Sequence, residues 1–206
     1  MTKDLDVLLI ENRAGIGIDA ARALEADGHR VHRCYDDPHD GFPCRGLAAP
    51  SACPVDGPID VALVVRSGYA PAPSHLEQGV SCAVRANVPI VEQGPAEPDP
   101  FRPWVAARVP TDGDVAGACA KAAAGAFDAV RIEVQGRIAR LLGTHGIESA
   151  QVPIRFEPDR GGLDVHLDLP VPVPRGVEQA LAVRVLDGIR GVGRTFGRVD
   201  VHVHAD

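Results

Sequence analysis

The chain has 206 residues, of which 45% are hydrophobic and 24% are charged, and its formal net charge at pH 7 is -7. This composition is typical of a globular protein with one or two domains. The acidic balance excludes the usual nucleic-acid-binding surface and docking on anionic lipid, and no apolar run reaches the roughly 18 residues of a membrane span, so direct membrane insertion is not expected.

The amino-terminal residues predict a cytoplasmic protein. Residues 1–13 place acidic side chains around a very short apolar run and contain no small-residue cleavage site, so they do not form a signal peptide. In the cytoplasm the five cysteines are expected to be reduced thiols or metal ligands rather than disulfides.

Strands alternate with helices in the first half of the chain. Continuous apolar runs predict strands that are buried on both faces, and Gly28 is expected to end the first helix. The predicted strands are residues 5–10, 29–35, 60–66 and 88–93, and the predicted helices are residues 18–29 and 74–87. This alternation predicts parallel βαβ units in a doubly wound, mostly parallel sheet.

The pattern changes after the fourth predicted strand. Residues 94–110 are rich in proline and form either a linker or an irregular edge strand around Trp104. A long helical region follows at residues 112–146, with a bend expected near Gly125.

The last part of the chain predicts a small two-layer α+β domain. Two alternating strands with a turn between them precede a helix and a final alternating strand, so three strands would be covered by helices on one face. These elements are residues 151–157, 163–169, 177–197 and 199–205. We therefore predict an α/β domain over residues 1–110 and an α+β domain over residues 111–206.

The carboxyl-terminal element order resembles the alkaline shock protein family. The resemblance lies in IEVQGRIARLLGTHGIESAQVPIRF, in LDVHLDLPVPV, in the helix after Gly176 and in the closing VDVHVH, within residues 127–205. Where that family has an aromatic-glycine step before its second helix, this chain has Pro174-Arg175-Gly176. The resemblance implies a non-enzymatic role in envelope-associated or stress-related assembly, and no catalytic residue carries over.

The amino-terminal half resembles a flavodoxin-type or receiver-like sheet with strand order 2-1-3-4. Phosphorylation of receivers requires an aspartate at the end of the third strand, where this chain has Arg66. The two lysines, Lys3 and Lys121, do not follow the fourth strand, as the receiver site would require. The comparison therefore implies that a receiver-like fold here would serve binding rather than phosphoryl transfer.

Three cysteines lie in and beside the loop between the second and third predicted strands. Cys34, Cys44 and Cys53 would stand outside the carboxyl ends of the strands, where ligands of open α/β sheets bind. We interpret them as ligands of zinc or of an iron–sulfur cluster, or as a redox element, although the paired spacing of structural zinc sites is absent. The fourth-ligand candidates are His32, Asp36, His39 and Cys82, and the alternative is that all three are plain thiols. Cys82 and Cys119 are expected to fill the core.

The turn after the first strand is a candidate anion site. Free N–H groups at the start of the following helix could hold a phosphate-bearing cofactor, with Arg13, Gly15 and Arg66 as the binding residues. The turn matches neither a dinucleotide fingerprint nor a P-loop, so a plain strand-to-helix turn is the alternative.

Histidine and aspartate alternate on the outward faces of two carboxyl-terminal strands. If these strands are neighbours, the residues share one open sheet surface, which is either solvated, a divalent-metal ligand set or a pH-sensitive contact. The residues are Asp164, His166, Asp168, Asp200, His202 and His204.

Two functions agree with these patterns. The first is a non-enzymatic scaffold or regulatory protein that binds a protein partner or itself, because the alternating final strand would leave an open sheet edge. The second is an iron–sulfur or zinc enzyme, or an electron carrier, that acts on a small molecule beside Glu11, Asn12 and Arg66.

Overall fold

The structure is a computed structural model that describes residues 4–35, 44–49, 52–95, 98–159, 162–192, 196 and 198–205. It divides into two compact units, the first ending at Ala126 and the second beginning at Phe127. None of the described helices is both long enough and apolar enough to span a bilayer.

The first unit is built on a five-stranded parallel sheet in the order β2-β1-β3-β4-β5. Its strands are β1 (Asp6–Glu11), β2 (Arg30–Arg33), β3 (Val61–Val65), β4 (Ile90–Gln93) and β5 (Val105–Val109). Every residue of β1 and β3 is buried, as expected of central strands covered on both faces. The proline-rich segment contains the edge strand β5, so the second of the two sequence interpretations is confirmed.

Helices cover both faces of this sheet. The covering helices are α1 (Ile18–Ala26), α3 (Gly79–Arg85) and α4 (Val115–Gly125), and the short helix α2 (Arg45–Ala48) has no buried residue. Leu24 of α1 and Cys119 of α4 pack against Leu9 and Leu63 on one face, whereas Val80 of α3 packs against Leu8 on the other. This is the predicted doubly wound α/β arrangement. Gly28 has a φ of +89°, the left-handed conformation that ends α1.

The second unit is a two-layer α+β structure, as predicted. Its elements are α5 (Asp128–Gly143), β6 (Ile154–Asp159), β7 (Gly162–Leu169), α6 (Arg175–Gly191) and β8 (Arg198–Ala205). β6 and β7 form an antiparallel hairpin, and β8 lies parallel to β7 on its other side. The core between the helices and β7 is aliphatic, with Leu163, Leu167 and Leu181 fully buried.

The boundary between the units differs from the predicted one at residue 110. The helical region breaks at Ala126 and Phe127, near the bend that was expected at Gly125, and gives two separate helices. α4 packs its apolar face on the parallel sheet through Val115 and Cys119, so it belongs to the first unit. The run of small apolar residues in α4, most of them alanine, predicts a helix but does not specify which core that helix covers.

α5 and α6 approach closely where Gly188 faces Val134. A Cβ atom on Gly188 would stand 3.0 Å from the Cα atom and 3.2 Å from the backbone nitrogen of Val134. Backbone atoms cannot rotate away as a side chain can, so the glycine allows the helices to pack at this distance.

We predict that Gly188→Ala lowers the free energy of unfolding by about 1–3 kcal/mol, because the added methyl group forces the helices apart. Gly136→Ala on α5 is the matched control, since nothing lies within 4 Å of its Cβ position. Alanine there should leave stability unchanged or raise it by up to about 1 kcal/mol. Urea denaturation measures both, and equal effects would contradict this role for Gly188.

Candidate functional site

The order of the parallel strands places a topological switch point between β1 and β3. In open α/β sheets with the order 2-1-3-4-5, ligands bind outside the carboxyl ends of the strands at this point. Here it is formed by the turn that follows Glu11 and by the segment that starts at Arg66. The residues predicted for cofactor binding therefore lie together at the carboxyl ends of the central strands β1 and β3.

Glu11 occupies the position that the predicted anion would need. Its Oε1 atom accepts a hydrogen bond of 2.6 Å from the backbone N–H of Gly17, the N-cap of α1. Its Oε2 atom accepts one of 2.6 Å from Arg33, and the residue is 7% exposed. A carboxylate of the protein itself thus meets the positive end of the helix and a neighbouring cation.

Arg13 and Gly15 lie in the turn that Glu11 stabilises. Gly15 has a φ of +80°, which allows the chain to reverse before α1. Arg13 is exposed, and its Nη2 atom lies 3.4 Å from the position of a Cβ on Gly68. These two residues stand at the predicted place, and their role in holding a cofactor stays a prediction.

Arg66 is bound within the protein. Its side chain is 2% exposed, and its Nε atom donates to Oε1 of Glu77, which is 0% exposed, at 2.8 Å. The two terminal nitrogens donate to the carbonyl oxygens of Pro98 at 3.0 Å and Ala70 at 2.7 Å, and the guanidinium lies 5.5 Å from the ring centre of Phe101. Arg66 therefore ties loops together at the sheet edge, and its binding of an external anion remains a prediction.

Glu77 is a buried residue beside Arg66 that the sequence analysis missed. Its second oxygen, Oε2, accepts a hydrogen bond of 2.7 Å from the backbone N–H of Ser74, so one carboxylate both caps a helical turn and neutralises Arg66. The signal was present as Ser74 followed three residues later by Glu77, the spacing of a capping box.

Asn12 joins the two loops that follow β1 and β3. Its side-chain amide donates to the carbonyl oxygen of Ser67 at 3.1 Å and accepts from the Ser67 N–H at 3.0 Å. The cavity that remains beside Glu11, Cys34 and Leu76 has a volume of about 20 Å³. A single water needs about 10–15 Å³ by the same measure, so this space is too small for a cofactor.

A larger groove lies at the carboxyl ends of β4 and β5, away from the switch point. It measures about 510 Å³ and is lined by Glu92, Arg108 and Asp112 among others. Arg108 forms an ion pair with Asp99, and Gln93 donates to the Thr111 carbonyl oxygen at 2.8 Å. The groove is open and of mixed charge, and it contains none of the residues predicted for binding.

The predicted thiol ligands gather near the end of β2. Cys34 is 9% exposed, and its carbonyl oxygen accepts a hydrogen bond of 2.7 Å from Arg45, the residue after Cys44. Burial raises the pKa of the Cys34 thiol to about 12, and the neighbouring thiols of Cys82, Cys44 and Cys53 raise that pKa as well. The four thiols are therefore close enough to interact electrostatically.

This gathering does not form a metal-binding geometry. Across the part of the chain that the structure describes, no group of three or more His, Cys, Asp and Glu side chains is arranged to hold a metal ion. The five cysteines form no disulfide. The zinc or iron–sulfur site of Cys34, Cys44 and Cys53 thus gains no support from the geometry and stays a prediction.

The four candidates for a further ligand have different positions. His32 contacts Oδ1 of Asp6 at 2.7 Å, near the start of β1 and away from the carboxyl edge. Asp36 and His39 lie outside the described residues. Cys82 is only half-buried on α3, whereas Cys119 is fully buried as a core residue should be.

The second unit presents the predicted face of histidine and aspartate. The register pairs Asp164 with Asp200, His166 with His202, and Asp168 with His204, so the six side chains share the sheet surface opposite the helices. The three imidazole rings stack with centroid distances of 4.7, 5.3 and 6.3 Å. The expectation that these two strands are neighbours is confirmed.

Comparisons with known proteins do not identify a family. No protein-family model and no curated protein matches the sequence, so the resemblance to alkaline shock proteins gains no support. A CheY-like response regulator receiver domain protein from Methanospirillum hungatei JF-1 is 13% identical, covering 57% of this chain and 90% of that one, with a TM-score of 0.34. The response regulator StyR is 12% identical over 94% of each chain, also with a TM-score of 0.34. At such scores the fold assignment stands on the strand order itself.

We predict that Glu77→Gln lowers the free energy of unfolding by about 3–5 kcal/mol, because it leaves the buried Arg66 cation uncompensated. The double variant Arg66→Met with Glu77→Leu should recover much of the loss. Asp128→Asn is the control: its exposed pair with Arg131 should contribute less than about 1 kcal/mol. Chemical denaturation measures all three, and a loss below 1 kcal/mol for Glu77→Gln would contradict the account.

We further predict that Cys34 and Cys119 resist alkylation in the native protein at pH 8. The pKa of each is raised to about 12, mainly by burial, so almost none of either thiol is ionised at that pH. The half-buried Cys53 and Cys82 should react first, and all five should react in denaturant. Peptide mapping by mass spectrometry measures this order, and early labelling of Cys34 would show that its pocket opens.

Proposed function

We propose that the protein is a non-enzymatic scaffold or regulatory protein that associates with a second copy of itself through β8. The observation that carries the proposal is the position of β8 at the edge of its sheet, where it pairs with β7 on one side only within the described chain. An eight-residue strand with an open edge is a template for pairing with another chain.

The apolar side of β8 is incompletely covered. Val199, Val201 and Val203 are half-buried, whereas the facing residues of β7, such as Leu163 and Leu167, are fully buried. A second β8 strand placed beside the first would extend both the sheet and the apolar layer, which removes further valine surface from water.

The sequence of β8 suits antiparallel pairing with its own copy. If Val201 faces Val201 of the second copy across a two-fold axis, Val199 faces Val203, and Asp200 faces His202 twice. Opposite charges directly across two strands, which an aspartate and a protonated histidine provide, stabilise the pair by roughly 0.2–1 kcal/mol, and a two-fold axis repeats each contact. This arrangement keeps all valines on the helix-covered side.

The internal hydrogen bonds at the carboxyl ends of the parallel strands support a non-enzymatic role. Glu11, Asn12 and Arg66, which an enzyme or electron carrier would use at the switch point, are engaged in internal hydrogen bonds. The gathered thiols favour the alternative, an iron–sulfur or zinc protein that acts on a small molecule. Elemental analysis of anaerobically prepared protein distinguishes the two functions.

We predict a reversible monomer–dimer equilibrium in sedimentation velocity. Oxidation of Val201→Cys should give a disulfide between the two copies, because antiparallel partners lie about 4.5–5.5 Å apart at Cα, within disulfide reach. Val171→Cys is the control, since this valine is 47% exposed in the same unit but lies outside the strands.

Peptide mapping separates the new disulfide from those of the native thiols. A protein that stays monomeric at every concentration would contradict self-association. If a disulfide formed at His202→Cys or Val203→Cys but not at Val201→Cys, the two copies of β8 would still pair, but in a different register.

A further inference from the structure

The open face of the second sheet brings two imidazole nitrogens to chelating distance. Nδ1 of His166 and Nε2 of His204 lie 3.0 Å apart, so one ring donates a hydrogen bond to the other. Two nitrogens bound to the same tetrahedral zinc ion at about 2.0–2.1 Å would stand about 3.3 Å apart. A shift of a few tenths of an ångström, together with a rotation of both rings that turns their lone pairs toward a common point, therefore converts this hydrogen bond into a pair of metal ligands.

We propose that His166 and His204 form a two-histidine chelate for a late first-row divalent cation such as Zn²⁺ or Cu²⁺. Because no set of three or more protein ligands converges within the described chain, water would complete the coordination. Imidazole nitrogen is a preferred ligand of these ions, whereas Mg²⁺ and Ca²⁺ prefer oxygen.

A carboxylate stands where it would orient the first ligand. Oε2 of Glu157 lies 3.6 Å from Nε2 of His166, the ring nitrogen that would not bind the metal. When Nδ1 ligates the ion, the ring proton resides on Nε2, and Oε2 of Glu157 would accept a hydrogen bond from this N–H after approaching by several tenths of an ångström. A hydrogen bond from the second ring nitrogen to a carboxylate is the usual support of a histidine ligand.

The charge of this face suits a cation. Arg155 pairs with Asp168 at 2.6 Å and Arg198 pairs with Asp200 at 2.9 Å. Glu157 and Asp164 remain beside the histidines, with Oδ1 of Asp164 3.7 Å from Nε2 of His202 and 3.8 Å from Arg198. Among the side chains of this face that the structure describes, four carboxylates thus accompany two guanidinium groups, and a divalent ion would balance the difference.

This site differs from the thiol site and does not require self-association. His166 and His204 belong to the second unit, whereas Cys34, Cys44 and Cys53 belong to the first. The two metal hypotheses therefore make separate predictions for the same full-length protein.

Zinc titration of the full chain by calorimetry at pH 7.5 tests the proposal. We expect His166→Ala and His204→Ala each to weaken one equivalent of Zn²⁺ at least tenfold, and Glu157→Gln to weaken it about tenfold through the lost orientation. His145→Ala, an exposed histidine of the same unit, is the matched control and should bind as the unmodified protein does.

A Cu²⁺ electron paramagnetic resonance spectrum gives a second readout. Hyperfine structure from two nitrogen nuclei should appear in the unmodified protein and from one nitrogen in His204→Ala, whose exposed position near the strand end makes misfolding no concern. Binding should also weaken at pH 5.5, because a protonated imidazole cannot ligate. The proposal would be overturned if the unmodified protein bound no Zn²⁺, or if either histidine variant bound it as tightly as the unmodified protein. It would also be overturned if Cys34→Ser, rather than the histidine variants, lost Zn²⁺ binding.

Discussion

The buried ion pair between Arg66 and Glu77 determines what the parallel sheet can do. Both side chains are almost fully removed from water, so each charge is tolerable only because the other lies 2.8 Å away. The remaining donors of Arg66 bind the carbonyl oxygens of Ala70 and Pro98, which draws two loops over the end of β3. These bonds hold the loops together at the carboxyl ends of the strands, where ligands of this fold usually bind.

At the end of the neighbouring strand β1, Glu11 likewise neutralises positive groups of the protein itself. Its carboxylate accepts hydrogen bonds from the backbone N–H of Gly17, at the start of α1, and from the guanidinium of Arg33, two positive groups that otherwise would attract an anion. Both carboxylates thus neutralise positive groups of the first unit from within. In the second unit, β8 lies at the edge of its sheet and the histidines lie on the sheet face opposite the helices.

The closeness of the thiols around Cys34 does not by itself make them metal ligands. Cys34 lies near Cys44, Cys53 and Cys82, as a metal site would require, but it is buried beside Gly79 and Ile10, in a setting that disfavours the thiolate. A cysteine binds a metal as its thiolate, so a metal ion would have to overcome the cost of ionising this buried thiol. The histidines of the other unit face no such barrier, because neutral imidazole is already the ligating form.

Local patterns determined the elements of this protein. Apolar runs marked β1 and β3, alternation marked β7 and β8, and Gly28 marked the end of α1, because each depends on near neighbours in the chain. The same periodicity placed histidine and aspartate on one face of each of these strands, but the pairing of β7 with β8, which makes the face a shared one, came from the tertiary structure. Only the tertiary structure assigned α4 to the first core, turned Arg66 inward to Glu77 and set two histidine nitrogens 3.0 Å apart. Those contacts join distant segments, and the direction of a side chain depends on the partner that packing brings to it.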